Sequence, residues 1–194
     1  MAVCIALVTG GTLGAVAGYF GGKVDNIIMR VMDIFLSIPI LLMAIMIVAA
    51  LGTSMVNLMI AIGVSSMPTF ARVTRAAVLS VKDQEYVEAA RAIGGKTGHI
   101  ILRHILPNCL SPIIVQATMR VATAILSVSG MSFIGLGISQ PTPEWGAMLA
   151  SGRSFIRDAS HIVVIPGLLI MLTVLSLNLL GDGLRDALDP KLKR

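Results

Sequence analysis

Apolar residues fall along this chain in five long runs, at about 3–20, 31–51, 55–71, 110–136 and 162–181. Each is long enough to cross a hydrocarbon core of roughly 30 Å as an α-helix. No run alternates with the period of two that barrel strands require, and lipid admits only helices or closed barrels. The pattern predicts an all-α, polytopic membrane protein with about five transmembrane helices, forming one domain over 1–194. Gly130 interrupts the fourth run and predicts a shorter, bent end there. Gly10, Gly14, Gly18 and Gly22 recur every four residues along the first run. Such a stripe permits close helix–helix approach, and packing is the preferred reading over a role in lining a pathway.

Composition agrees with lipid as a solvent. Apolar residues make up 56% of the chain and charged residues 13%, with a mean hydropathy of +0.90. So small a soluble domain cannot hide that much apolar surface. The net charge of +5 does not point to nucleic acid, because the basic residues sit in loops between apolar runs, with only Tyr86 and Phe70 as sizeable aromatics near the basic loop. Cys4 and Cys109 border apolar runs and have no disulfide or metal spacing. The first 20 residues lack the basic start of a signal peptide.

Basic residues set the orientation. Lys23 and Arg30, then Arg72, Arg75, Lys82, Arg91, Lys96 and Arg103, then Arg185, Lys191, Lys193 and Arg194 all fall on one side of a five-span topology. Only Arg153 and Arg157 fall opposite, and Arg120 lies within a span. The 72–108 loop and the C-terminus are therefore expected in the cytoplasm, and 137–160 outside. Met1 then begins outside without a signal, which leads to the expectation that an earlier span is missing; a natural five-span protein is the alternative.

The 72–108 loop is the one large polar interval. From Asp83 to Ile93 its pattern is helical, with Tyr86, Ala90 and Ile93 at i, i+4 and i+7 predicting one small-to-apolar stripe. Glu88 and Arg91 are spaced to pair. Gly94-Gly95 can end the helix in a left-handed cap. A second short helix is expected from about Thr97 to Leu106, with Pro107 at the start of the next span. A helix, a glycine turn and a helix held between two spans suit insertion into a partner's groove. A solvated hairpin resting on lipid headgroups is the alternative.

Glu88-Ala89-Ala90, Gly94 and Leu106-Pro107 stand at the spacing of a known signature. The chain resembles the inner-membrane permease subunits of binding-protein-dependent ABC importers, whose loop reads E-A-A-x3-G-x9-I-x-L-P. One position departs: His104 stands where the pattern has Ile. Arg103-His104-Ile105-Leu106-Pro107-Asn108 resembles the dipeptide, oligopeptide and nickel branch. So do Ala17-Gly18-Tyr19-Phe20-Gly21-Gly22, the Pro141–Met148 segment and the Gly181–Pro190 tail. The resemblance covers essentially the whole chain, and by it the chain lacks the family's first span and the external segment after it.

The resemblance implies a permease half. Tyr86, Glu88, Ala89, Ala90, Ile93, Gly94, Leu106 and Pro107 would form a coupling site seated in a separate ATPase subunit. Implied partners are a second homologous permease, two cytoplasmic ATPase subunits, an extracytoplasmic substrate-binding protein and membrane lipid. ATP would be bound by the ATPases, with no cofactor in this chain. The implied cargo is peptides or nickel complexes, and the implied location is the inner membrane.

Ile93-Gly94-Gly95-Lys96-Thr97 imitates the end of a phosphate-binding loop, but Ala90 stands where that motif needs glycine. Arg120 lies ten residues past Leu110, roughly 15 Å along a helix and near mid-membrane. A charge there costs about 2.5–3.5 kcal/mol on the milder insertion scale and must face protein or a wet cavity. It either lines a translocation path with Gln116, meeting a cargo carboxylate, or bonds within the helix bundle. Asp33 is expected at a span end near Arg30. Pro39, Pro68, Pro112 and Pro166 are expected to bend or start spans. Trp145 reads as an interfacial anchor, within an external segment that either docks the delivering protein or packs on the surface.

Three histidines are scattered, and no nucleophile or metal cluster shares one depth, so no enzyme is predicted. A stand-alone secondary transporter or channel is the chief rival. It would show midplane ionisable pairs or internal repeats, and this chain offers Arg120 alone.

Overall fold

Glycine lets two helices touch backbone to backbone at the centre of this molecule. The computed structural model describes residues 1–138 and 141–188; Asp189-Pro190 and the basic tail residues Lys191, Lys193 and Arg194 lie outside them. Helix α1 (Ala2–Phe20) packs along α4 (Met55–Val81) more extensively than any other pair. A Cβ at Gly10 or Gly14 would collide with the carbonyl oxygens of Met67 and Ala71. At Gly18 it would stand 2.9 Å from the Val78 Cβ. Gly63 of α4 returns the contact, where a Cβ would lie 2.9 Å from the Ala2 carbonyl oxygen. The stripe is thus a packing surface at three of its four positions. Gly22 faces open space, and its φ of 53° serves the turn into α2 instead.

The expected second span, 31–51, is not one helix. The chain forms α2 (Gly22–Leu36) and α3 (Ile40–Leu51), bent by 86° at the break. Pro39 is the cause: it has no N–H and disfavours helical geometry at Ile38 before it. The Ser37 hydroxyl donates to the Ile34 carbonyl at 2.7 Å, closing the end of α2. A tight corner then leads to α4, whose N-cap Ser54 accepts the Asn57 N–H at 3.1 Å.

Helix α4 runs through Pro68 to Val81, ten residues past the expected end of the third span. Arg72 and Arg75 therefore stand on a helix rather than in a loop. Each finds a carboxylate on α2: Arg75 pairs with Asp25 at 2.5 Å and Arg72 with Asp33 at 2.6 Å. Asp33 does not pair with the nearby Arg30 that its spacing suggests; its partner lies 39 positions away in sequence. Pairing across two helices is invisible to local spacing.

After α5 (Glu85–Ala92), the chain enters α6 (Thr97–Ile100), a π-helical turn over Ile101–Ile105, a 3-10 turn over Leu106–Cys109 and α7 (Leu110–Phe133). The expected short second helix is thus the leading end of one long helical rod. Helix α7 continues through Gly130, so the expected interruption there does not occur. Helix α8 (Trp145–Gly152) starts on Glu144, whose carboxylate accepts the N–H groups of Gly146 and Ala147 at 2.9 and 2.7 Å. It packs between α7 and α9 (His161–Leu188). Its Gly146, Ala147 and Gly152 are buried, while Trp145 is half-buried at its start.

Four helical rods are long and apolar enough to cross a membrane: α1, α4, Thr97–Phe133 and α9. Counted as one span, the bent α2–α3 pair brings the number to five. Among the described residues there is no strand. Two apolar cores sit at the two ends of α4. One joins Ala2, Val48, Leu58, Ile62 and Met131. The other joins Val78, Val87, Ala90, Ile100, Ile105 and Ile113, at the end that carries α5.

Candidate functional site

Helix α5 has the charge order that stabilises a short helix. Glu85 and Glu88 lie in its first turn and Arg91 in its last, complementing the helix dipole. Eight residues are too few for stability alone, so tertiary packing must hold it. Val87 and Ala90 supply that packing. Both are buried against Ala77 and Val78 of α4 and against Ile100 and Ile105 of the next rod.

This burial corrects the expected stripe. Tyr86, Ala90 and Ile93 do not share one face. Ala90 points inward, while Tyr86 is 44% and Ile93 87% exposed. Ala89 and Glu88 are exposed as well. The outward apolar row is therefore Tyr86, Ala89 and Ile93, at i, i+3 and i+7. The inward pair Val87–Ala90 anchors it from behind. Val87 lies outside the expected stripe, and its i, i+3 spacing with Ala90 is the sequence signal for this inner face.

Glu88 and Arg91 do not form an ion pair. Arg91 instead lies over the ring of Tyr19, 5.3 Å from its centroid. That contact ties α5 to the end of α1.

Gly94 ends the helix in the expected way, with φ at 80°. Its N–H bonds to the Arg91 carbonyl at 3.0 Å, and the Gly95 N–H reaches the Ala90 carbonyl at 3.1 Å. This pair of bonds is a Schellman cap. Gly95 is constrained for a different reason: a Cβ there would stand 2.6 Å from the Ala90 oxygen. The Gly94-Gly95-Lys96 sequence that imitates a phosphate loop is a helix terminus, which uses its N–H groups internally.

Leu106 and Pro107 mark the other side of the hairpin. Pro107 cannot donate a backbone hydrogen bond, so the ladder must be redrawn around it. The Leu106 N–H reaches back to the Ile101 carbonyl in a π-type step. The Asn108 side chain donates to the His104 carbonyl at 2.7 Å. Leu106 is half-buried and Pro107 exposed. His104, the departure from the signature, rests edge-on against His99, with ring centroids 5.7 Å apart. The signature residues thus come together at one end of the molecule, around a helix whose outer row is exposed among the described residues.

Gln116 and Arg120 stand one turn apart on α7 yet open to different cavities. Gln116 lines one with Val73, Met119 and Arg185. Arg120 lines another, of about 300 Å³, with Ile40, Ser66, Thr123 and Ser127. The Arg120 guanidinium donates to the Thr69 hydroxyl of α4 at 2.7 Å.

The chain is similar to known transport proteins both in sequence and in fold. The chain is 52% identical over 192 residues to a dipeptide transport system permease protein of Alkalihalophilus pseudofirmus, covering 99% of this chain and 63% of that protein. It is 47% identical over 191 residues to a glutathione transport system permease protein of Pectobacterium atrosepticum, covering 98% and 64%. The chain thus spans less than two thirds of the length of these relatives. In fold it is similar to the MetNI methionine ABC transporter in inward-facing form. The TM-score is 0.73 at 20% identity, covering 97% of this chain and 89% of that one. An amino acid ABC transporter gives a TM-score of 0.69 at 16% identity, covering 96% and 86%. Residues 10–194 match one family over nearly the whole chain: this protein belongs to the binding-protein-dependent transport system inner membrane component family.

Proposed function

We propose that the chain is a permease subunit of an ATP-driven importer, forming half of a translocation path for peptides. It pairs with a second homologous permease and with two cytoplasmic ATPase subunits, and it receives cargo from an extracytoplasmic binding protein. The chain performs no chemistry of its own; ATP is bound by the ATPases. The α5 end and the C-terminus face the cytoplasm, following the excess of Lys and Arg at that end.

The observation that carries this reading is the two-sided build of α5. Its inner residues Val87 and Ala90 belong to the core. Its outer row of Tyr86, Ala89 and Ile93 is exposed. An amphipathic helix fixed at both ends can pass a push from a bound partner into α4 and α7, because interior packing resists deformation. Relatives named as dipeptide and glutathione permeases support peptides as cargo. They also favour an importer subunit over a stand-alone transporter or channel.

Capture of the companion ATPase by the detergent-solubilised chain tests the reading. The unaltered chain should retain the ATPase, and Glu88→Lys and Gly94→Pro should lose it. A folded chain that retains no ATPase would count against the assignment.

A further inference from the structure

We infer that the Arg120 guanidinium forms a mid-span subsite for the free carboxylate of the transported cargo. The inference rests on the importer reading above and deepens it.

Three observations carry it. First, Arg120 is the eleventh residue of the 24 in α7, and its partner Thr69 lies near the middle of α4. The two apolar cores fall towards the ends of α4, around Leu58 and Ile62 and around Ala77 and Val78. The guanidinium therefore sits between them, where a charge is most costly to keep in lipid.

Second, its charge is unmatched. The ion pairs among the described residues are Arg72–Asp33 and Arg75–Asp25. Arg120 donates to one neutral hydroxyl. A guanidinium carries five N–H donors in a planar fork that matches a carboxylate. The bond to Thr69 holds that fork in place and leaves most of its donors for another acceptor.

Third, the space beside it is of a useful size and is lined by both polar and apolar side chains. The cavity of about 300 Å³ takes Ser66 from α4 and Thr123 and Ser127 from α7. Thr123 and Ser127 turn their hydroxyl protons back to helix carbonyls, at 3.1 and 2.9 Å. Ile40, at the start of α3 just past the 86° bend, forms another wall. A basic fork beside a wall of Ile40, Leu41 and Leu126 suits the carboxylate end of a small peptide.

The test uses the complete importer in proteoliposomes, with both permeases, the ATPases and the binding protein. Uptake of alanyl-alanine is compared with uptake of its C-terminal amide, each loaded to saturation on the binding protein. The unaltered importer should favour the free acid. Arg120→Gln should lower uptake of the acid about tenfold and bring the acid-to-amide ratio close to one, while Arg120→Lys keeps the preference. Equal loss of both cargoes in Arg120→Gln would assign the arginine to assembly and overturn the inference. So would an unchanged ratio. If the unaltered importer moves neither peptide on ATP addition, the importer reading itself falls, and this inference falls with it.

Discussion

The guanidinium of Arg91 lies 5.3 Å from the centroid of the Tyr19 ring. Tyr19 is the penultimate residue of α1 and Arg91 the penultimate residue of α5. The contact joins the proposed coupling helix to the helix that packs along α4. Such a pair is worth about 0.5–1 kcal/mol at a partly exposed site. Tyr19→Phe should leave stability in detergent unchanged, since the ring face is kept. Tyr19→Leu should lower it by about that amount, read from denaturant unfolding. Equal effects from the two variants would mean that the ring acts only as apolar bulk.

The backbone contact of α1 with α4 leads to a second prediction. Gly14→Ala places a methyl group against the Ala71 carbonyl oxygen. Overpacking of this kind costs about 1–3 kcal/mol. Gly11→Ala, one position along the chain sequence from Gly10, meets nothing closer than 3.8 Å. Folded yield and the thermal midpoint should fall for Gly14→Ala and hold for Gly11→Ala.

The two ion pairs between α2 and α4 are unequal. The side chains of Arg72 and Asp33 are 55% and 50% exposed, whereas Asp25 is 12% exposed beside Arg75. Solvent screens the first pair, so Arg72→Ala should change stability by less than about 1 kcal/mol. Arg75→Ala leaves the largely buried Asp25 carboxylate unpaired and should cost about 1–3 kcal/mol. Adding Asp25→Asn should recover part of that loss. A double-mutant cycle on unfolding free energies checks the coupling, and no recovery would mean that the pair contributes nothing.

The two faces of α5 can be separated experimentally. Ile93→Ser alters an exposed side chain and should leave the thermal midpoint within a degree or two, as surface changes do. It should nonetheless reduce capture of the ATPase. Val87→Ser opens the core behind the helix and should lower stability by about 2 kcal/mol or more. Full ATPase capture by Ile93→Ser would move the docking surface away from the Tyr86–Ala89–Ile93 row.

Gly94 tests the cap. Its φ of 80° lies in the left-handed region, so Gly94→Ala should cost about 1 kcal/mol through strain. Gly94→Asn should cost less, because asparagine tolerates that region better. Hydrogen exchange of the α5 amides provides the readout, and equal protection in both variants would remove the conformational argument.

Sequence alone determined the class of this protein and the location of its polar loop. Run length and the period of apolar residues respond to lipid thickness and helix geometry, which are local and general. The left-handed Gly94 cap was legible for the same reason, since a helix stop followed by two glycines has few solutions. The family signature was legible as spacing. Tertiary structure alone decided which neighbour each side chain meets. Asp25 finds Arg75 and Asp33 finds Arg72 only because α2 folds back along α4 after the turn at Gly21. Ala90 turns inward and Ile93 outward because Val78 and Ile105 stand on one side of α5 and no described residue covers the other. The 86° corner at Pro39 and the ten further residues of α4 were hidden in hydropathy. Hydropathy records where lipid can be; packing partners and hydrogen-bond ladders decide where a helix bends or ends. Arg120 shows both levels at once. Its depth was readable from its place in an apolar run, but its single hydroxyl partner and its separation from the cavity of Gln116 came from how α4 and α7 pack.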